Sequence, residues 1–170
     1  MKKFFATVEL LFAIAYLHWE KILFLGVVAL DQFTKNIVMR SMVPGQSIPL
    51  IQNVFHLTYV LNPGAAFGIL SNQRMFLLLT GAVLIAAAAY FYPLLKKSDG
   101  CLKLGATSIL SGAVANLIDR IQTGCVVDFF DFRIWPVFNV ADIAIVLGMG
   151  FMIYSILFRL DTKLEAEHEA

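Results

Sequence analysis

The sequence predicts an α-helical integral membrane protein with four transmembrane helices. Its 170 residues are 59% hydrophobic and only 15% charged, whereas a soluble domain is about a quarter charged. Mean hydropathy is +0.78, and uncharged runs approach the ~20 residues that a helix needs to cross ~30 Å of hydrocarbon. The length suits one membrane-embedded domain, residues 1–170.

The uncharged runs predict spans at about residues 22–39, 75–95, 102–121 and 140–158. The second span carries no charge before Lys96, and the fourth stops before Arg159. The first is less regular because Asp31 and Lys35 interrupt it. At positions i and i+4 these two side chains can form a structural ion pair on one helix face.

The third span is rich in small and polar residues. Ser108, Gly112 and Asn116 recur every four residues, which places them on one helix face. Small side chains on one face let a neighbouring helix approach closely. At the end of this span, Asp119 and Arg120 are predicted to make local structural contacts and not to carry chemistry.

Lysine and arginine near the span ends predict the orientation in the membrane. With a cytoplasmic amino terminus, eight of the 13 Lys and Arg residues lie inside, namely Lys2, Lys3, Lys21, Lys96, Lys97, Lys103, Arg159 and Lys163. Both termini are therefore predicted to be cytoplasmic, with Asp128 and Asp142 on the outer side. The membrane then separates Cys101, inside, from Cys125, outside, so no disulfide is expected.

Residues 1–19 do not follow the span pattern. Lys2 and Lys3 precede an apolar run, as in a signal peptide, but no small-residue cleavage site follows, and Glu9 and His18 intrude. An amphipathic helix lying at the membrane interface is the preferred interpretation. The alternative, an extra span, would put the amino terminus outside.

The outer connection after the first span contains strand signals. Residues 54–60 are dense in β-branched and aromatic side chains, and Pro44, Gly45 and Pro49 precede them. One or two strands lying on the membrane surface are predicted. In residues 62–68, Asn-Pro and Gly indicate a turn with close backbone approach, and a plain loop is the alternative.

A second outer segment carries Asp128. Gly124 is predicted to end the third span as a left-handed cap, and an extended segment follows it. In a strand, Asp128 shares a face with Val126, whereas Asp131 falls on the opposite face beside Arg133. Asp131 is therefore not expected to act together with Asp128.

Asn139 is predicted to be the N-cap of the fourth span, which makes Asp142 the third helical residue. A carboxylate at that position accepts from free backbone amides, and the helix end stabilises its ionised form. Capping alone would explain Asp142. The same field also favours Asp142 as the base if it acts together with Asp128.

Four acids lie in or near the predicted spans: Asp31, Asp119, Asp128 and Asp142. An aspartate at mid-membrane costs roughly 2.5 to 3.5 kcal/mol, so all four would cost on the order of 10 kcal/mol if centred there. They are therefore predicted to gather near the outer interface or to face the interior of the helix bundle.

Several functional classes lack their signatures in this sequence. A net charge of +1 without a basic cluster argues against nucleic-acid binding. There is no His-Glu-x-x-His, no Gly-x-Ser-x-Gly and no Gly-rich phosphate loop, and neither a metal nor a cofactor is expected. The remaining arrangement is a pair of carboxylates able to share one proton, as in aspartic proteases. A proton-coupled membrane carrier subunit and a non-catalytic scaffold are the alternatives.

Five motifs between about residues 22 and 158 resemble, in order and spacing, those of bacterial lipoprotein signal peptidase, also called signal peptidase II. Each motif is weak alone, but the ordered set is specific: Asp31-Gln32-Phe33-Thr34-Lys35, Asn62-Pro63-Gly64-Ala65-Ala66-Phe67-Gly68, Ser111-Gly112-Ala113-Val114-Ala115-Asn116-Leu117-Ile118-Asp119-Arg120, Val126-Val127-Asp128-Phe129 and Phe138-Asn139-Val140-Ala141-Asp142.

The resemblance implies an aspartic endopeptidase of the bacterial cytoplasmic (inner) membrane, and a monomer is expected. Its four transmembrane helices would carry a small periplasmic β-cradle and a surface helix, with the active site near the periplasmic face. Its partners would be membrane lipids and its substrate, a diacylglyceryl-modified prolipoprotein. The enzyme would remove the signal peptide by cutting just before the lipid-bearing cysteine of the lipobox.

The resemblance also implies roles for individual residues. Asp128 and Asp142 correspond to the catalytic pair, whereas Asp119 does not belong to it. Asp31 and Lys35 correspond to a supporting pair. Further residues correspond to positions around the active site: Asn62, Gly64, Ala66, Gly112, Asn116, Arg120, Asn139 and Ala141.

Overall fold

The computed structural model describes residues 18–64, 74–96 and 98–168, which form four helices and one small sheet. The helices are α1 (Trp19–Ser41), α2 (Arg74–Lys96), α3 (Gly100–Gln122) and α4 (Val140–His168). The strands are β1 (Ser47–Ile51), β2 (Phe55–Asn62) and β3 (Val126–Asp131). The predicted interfacial helix falls almost wholly in residues 1–17, outside the described residues.

Three of the described helices are long and apolar enough to cross a membrane: α1, α3 and the part of α4 from Val140 to Phe158. They coincide with the first, third and fourth predicted spans. In α2 the apolar stretch Met75–Ala88 is shorter, so a fourth span stays a prediction. Helix α4 continues to His168, ten residues past the predicted span. In the described part of the chain, the connections between these elements contain no separate surface helix.

The described residues are arranged with polar groups inside and apolar groups outside. The largest side chains that are fully buried include Lys35, Asn139 and Asp31, whereas Leu25 and Phe33 of α1 are more than 60% exposed. In water, exposed apolar side chains and buried charged ones would both destabilise a fold, whereas in a membrane the hydrocarbon solvates the apolar side chains. The fold is therefore that of a membrane-embedded protein.

Helices α3 and α4 pack closely because glycines line their contact. A Cβ atom placed on Gly105 would lie 2.7 Å from the Gly148 carbonyl oxygen, and one on Gly112 would collide with the Ala141 carbonyl oxygen. Ser108 and Asn116 of α3 are buried on the same face, as their spacing predicts. This close approach brings α3 against the first turn of α4.

The three strands form an antiparallel sheet in the order β1-β2-β3, which confirms the predicted strands. One face of the sheet packs on the end of α1, where Tyr59, Val127 and Phe129 form a buried cluster with Val38 and Met42. The predicted end of α3 is also observed, since Gly124 has a φ of 84°, a backbone conformation that favours glycine.

The pairing of β2 with β3 contains one irregularity. Leu57 pairs with Phe130 and Val60 pairs with Asp128, so two residues of β2, Thr58 and Tyr59, lie opposite the single residue Phe129 of β3. Successive side chains of a strand alternate between faces, and one extra residue therefore reverses the alternation. Beyond this bulge, Asn62 lies on the same face of the sheet as Asp128.

Candidate active site

Strand β3 carries Asp128, which is only 2% exposed. Each of its carboxylate oxygens accepts one hydrogen bond from a side-chain amide. Asn62 Nδ2 donates to Oδ2 at 2.9 Å, and Asn139 Nδ2 donates to Oδ1 at 2.7 Å. Two amide donors stabilise the charged form of a carboxylate that would otherwise be buried without compensation.

Asp142 lies in the first turn of α4, where the helix leaves backbone amides free. Its Oδ2 accepts from the backbone N–H of Asn139 at 3.1 Å, and the Asn139 Oδ1 accepts from the backbone N–H of Asp142 at 2.9 Å. This reciprocal arrangement is a capping box, with Asn139 as the predicted N-cap. Asp142 Oδ1 also accepts from Asn116 Nδ2 at 2.9 Å.

Asn139 connects the two candidate carboxylates and is fully buried. Its Oδ1 faces a backbone N–H, which can only donate, so its Nδ2 must be the atom that faces Asp128. The same Nδ2 also donates to Asn116 Oδ1 at 3.2 Å. One amide thus holds β3, α3 and the start of α4 together around both carboxylates.

A buried ion cluster lies beside the carboxylates. Lys35 Nζ contacts Asp31, its predicted partner, and Asp119, each at 2.7 Å. Local contacts are predicted for Asp119, and its carboxylate accepts from the Val127 backbone N–H at 3.3 Å. It also reaches α1, where besides contacting Lys35 it accepts from Gln32 Nε2 at 2.7 Å. Sequence spacing could not reveal this, because the helix packing brings α1 to α3.

The remaining predicted site residues surround this cluster. Arg120 Nη2 donates to the Gly64 carbonyl oxygen at 3.0 Å, and Gly112 packs against Ala141. The backbone N–H of Ala141 donates to Asp31 Oδ1 at 2.9 Å. Ala66 lies outside the described residues. Gln32 was not singled out from the sequence, although a glutamine beside Asp31 in an apolar span was a usable signal.

Asp128 and Asp142 line one cavity of about 520 Å³. Its polar lining includes Asn62, Asn116 and Arg120, and its apolar lining includes Trp135, Phe138 and Val146. Such a mixture of apolar wall and few polar groups is typical of a ligand site. In the described part of the chain, no group of three or more His, Cys, Asp and Glu side chains could hold a metal ion.

Comparison with known proteins assigns the family. The sequence model described as signal peptidase (SPase) II matches residues 23–158 of the chain. The chain belongs to the signal peptidase II family. It is therefore a protease, and membership of this family decides against the carrier and scaffold alternatives.

Individual relatives and solved structures agree with this family. The lipoprotein signal peptidase of Halothermothrix orenii is 48% identical over 133 residues, 78% of this chain and 90% of the relative. That of Moorella thermoacetica is 47% identical over 138 residues, covering 80% and 91%. A bacterial membrane enzyme solved by the in meso method at 2.3 Å resolution superposes with a TM-score of 0.77 at 32% identity, covering 85% of this chain and 90% of that one.

The surroundings of Asp128 change its protonation. Burial, together with the charge of Asp142, raises the pKa of Asp128 to about 7, against the lowering effect of hydrogen bonds from Asn62 and Asn139. Near neutral pH, Asp128 therefore holds a proton for much of the time. A carboxyl that holds a proton near neutral pH can act as a general acid.

Proposed function

We propose that this chain is an aspartic endopeptidase that removes the signal peptide from diacylglyceryl-modified prolipoproteins by cutting before the lipidated cysteine. Asp128 and Asp142 are the catalytic pair. The observation that carries this assignment is that both carboxylates line one cavity and that Asn139 hydrogen-bonds to both residues. The names of the relatives supply the substrate class.

In the proposed reaction, a water molecule attacks the carbonyl carbon of the scissile peptide bond. Asp142 takes a proton from this water, while the proton on Asp128 stabilises the carbonyl oxygen as it gains negative charge. The proton held by Asp142 then passes to the leaving nitrogen, and the C–N bond breaks. The capping position of Asp142 supports its role as base, because a helix N-terminus favours the ionised form.

Around this pair, eight residues support the site: Asn62, Gly64, Ala66, Gly112, Asn116, Arg120, Asn139 and Ala141. The hydrogen bonds of Asn62, Asn116 and Asn139 to the carboxylates support their inclusion. Asp31 and Lys35 form a supporting pair behind them.

The proposed location is the bacterial cytoplasmic membrane, with residues 1–170 forming one peptidase domain that acts as a monomer among membrane lipids. Helix α2 is the fourth span, and both termini are cytoplasmic. The active site and the sheet then lie near the periplasmic face, together with a surface helix. The distribution of Lys and Arg supports this orientation.

The test is cleavage of a diacylglyceryl-modified prolipoprotein and of its unlipidated form by the purified protein. We expect only the lipidated form to be cut. Asp128→Asn and Asp142→Asn should each lower the rate by at least about 100-fold, because each removes an acid or a base from the reaction. Asp131→Asn is the matched control. Full activity of either variant would overturn the assignment, and equal cleavage of both substrates would overturn the proposed lipid dependence.

A further inference from the structure

Lys35 is a buried ammonium whose three hydrogens all have acceptors. It is 1% exposed, and its Nζ lies 2.7 Å from Asp31, 2.7 Å from Asp119 and 2.8 Å from Asn116 Oδ1. An ion pair alone needs only one acceptor. The third contact instead reaches an amide that belongs to the candidate active site.

The contact with Lys35, at 2.8 Å the shorter of two donors to Asn116 Oδ1 beside Asn139 Nδ2 at 3.2 Å, fixes how the Asn116 amide is oriented. An ammonium group has donors and no acceptor, so Asn116 must turn its Oδ1 toward Lys35 and its NH₂ toward Asp142. The Nδ2 of Asn116 donates to Asp142 Oδ1 at 2.9 Å. The reversed amide would place NH₂ against the ammonium and an oxygen against the carboxylate, and both contacts would be repulsive.

Charged groups reach the carboxylate pair from each element packed against it. Helix α1 supplies Asp31 and Lys35, α3 supplies Asp119 and Arg120, and β3 and α4 supply the pair itself. Four carboxyls thus share two cations in this part of the structure. Lys35 also lowers the pKa of Asp128, although less than burial raises it.

We propose that Lys35 is a positioning residue for catalysis, acting through Asn116: its ammonium holds the amide so that the NH₂ group donates to Asp142 and fixes the position of that carboxylate. This inference rests on the proposed function of Asp142 as base. It gives Lys35 a role beyond the structural ion pair expected from its spacing with Asp31.

The test is a double-mutant cycle of Lys35→Met, Asn116→Leu and the combined variant, with kcat and KM measured separately. Each single change should lower kcat by about 10- to 100-fold with little effect on KM, because Asp142 loses the donor that holds its carboxylate in place. The combined variant should lose no more of kcat than either single one. Thr34→Val is the matched control, since its hydroxyl bonds only to carbonyls of its own helix in the described structure.

Lys35→Met leaves two buried acids without their cation, and this variant can fail to fold. The same measurement is then made on Asp119→Asn with and without Lys35→Met, because the combined change removes one charge of each sign. An unchanged kcat, or losses of kcat that multiply in the cycle, would overturn the role of Lys35. Asp128→Asn and Asp142→Asn are assayed alongside. Activity in either of these variants contradicts the proposed function. If both are inactive and the effects of Lys35→Met and Asn116→Leu are still independent, only this inference is contradicted.

Discussion

At the scale of single residues, Asp128 predicts a pH dependence of cleavage. The pKa of this carboxyl is raised to about 7, and the proposed reaction needs its proton. As the pH rises through about 7, the acid is lost, so kcat should fall along an alkaline limb. A pH profile measured with saturating lipidated substrate checks this expectation. A rate that stays flat to pH 9 would contradict Asp128 as the acid.

Asn62 provides a second residue-level prediction. Its hydrogen bond to Asp128 lowers the pKa of that carboxyl, so Asn62→Leu should raise the pKa and move the alkaline limb to higher pH. Thr58→Val, on the same strand, removes a donor to Asp131 instead and should leave the limb in place. Equal shifts in the two variants would indicate a general loosening of the sheet.

Asp131 is predicted to affect stability and not cleavage. Although burial raises its pKa, hydrogen bonds from Thr58 and Arg133 outweigh that effect and lower it. Its stabilising contribution is therefore present above the pKa of the unfolded chain and is lost as pH falls through the lower folded pKa. Asp131→Asn should cost about 1–2 kcal/mol near neutral pH. Thermal unfolding in detergent at pH 7 and at low pH measures this cost, which should shrink in acid.

The sequence predicted the candidate residues better than their contacts. Asp142 could be placed at a helix start from local rules, because capping depends on residues within one turn. The bond from Lys35 to Asn116 joins positions 81 residues apart. Such a contact depends on how α1 packs against α3, and no local pattern encodes that packing.

At the scale of secondary structure elements, the α3–α4 contact predicts unequal effects of glycine substitution. A methyl group at Gly112 would collide with the Ala141 carbonyl oxygen, next to Asp142, whereas one at Gly150 meets nothing within 4 Å. Gly112→Ala should therefore cost about 1–3 kcal/mol through overpacking and lower kcat, because the start of α4 must move. Gly150→Ala should leave both quantities within error.

Gly105→Ala separates packing from catalysis in the same helix pair. Its added Cβ atom would lie 2.7 Å from the Gly148 carbonyl oxygen, two turns along α3 from Gly112. Thermal stability should fall as it does for Gly112→Ala, but kcat should fall less. Equal losses of kcat in the two variants would show that the whole interface, and not the position of Asp142, limits the rate.

Element positions followed from hydrophobic runs and turn formers, since both are local properties of the chain. The helices began and ended within a few residues of the predicted spans, apart from α4, whose polar end from residue 159 onward still forms helix. The sheet register was not predictable in the same way. Strand pairing depends on which distant segments meet, and the bulge in β2 has no glycine to signal it.

At the scale of the whole molecule, the two cysteines provide a test of topology. Cys101 lies in the first turn of α3 and Cys125 lies just beyond its end, so a spanning α3 puts them on opposite sides of the membrane. In intact cells, a membrane-impermeant maleimide should label Cys125 in the Cys101→Ser variant. Cys101 in the Cys125→Ser variant should react only after permeabilisation. The opposite pattern would reverse the proposed orientation.

The bulge in β2 also has a consequence for how the chain can vary in length. Before it, odd-numbered residues such as Leu57 face the same side of the sheet as Asp128, and after it even-numbered residues such as Asn62 do, so the extra residue works like a reading-frame shift within one strand. Removing one residue between Leu57 and Val60 would leave one residue opposite Phe129, so the pairing would become regular while Asn62 stays on the face of Asp128. Adding one residue would place three residues opposite Phe129. A one-residue deletion in this segment should therefore be tolerated better than a one-residue insertion.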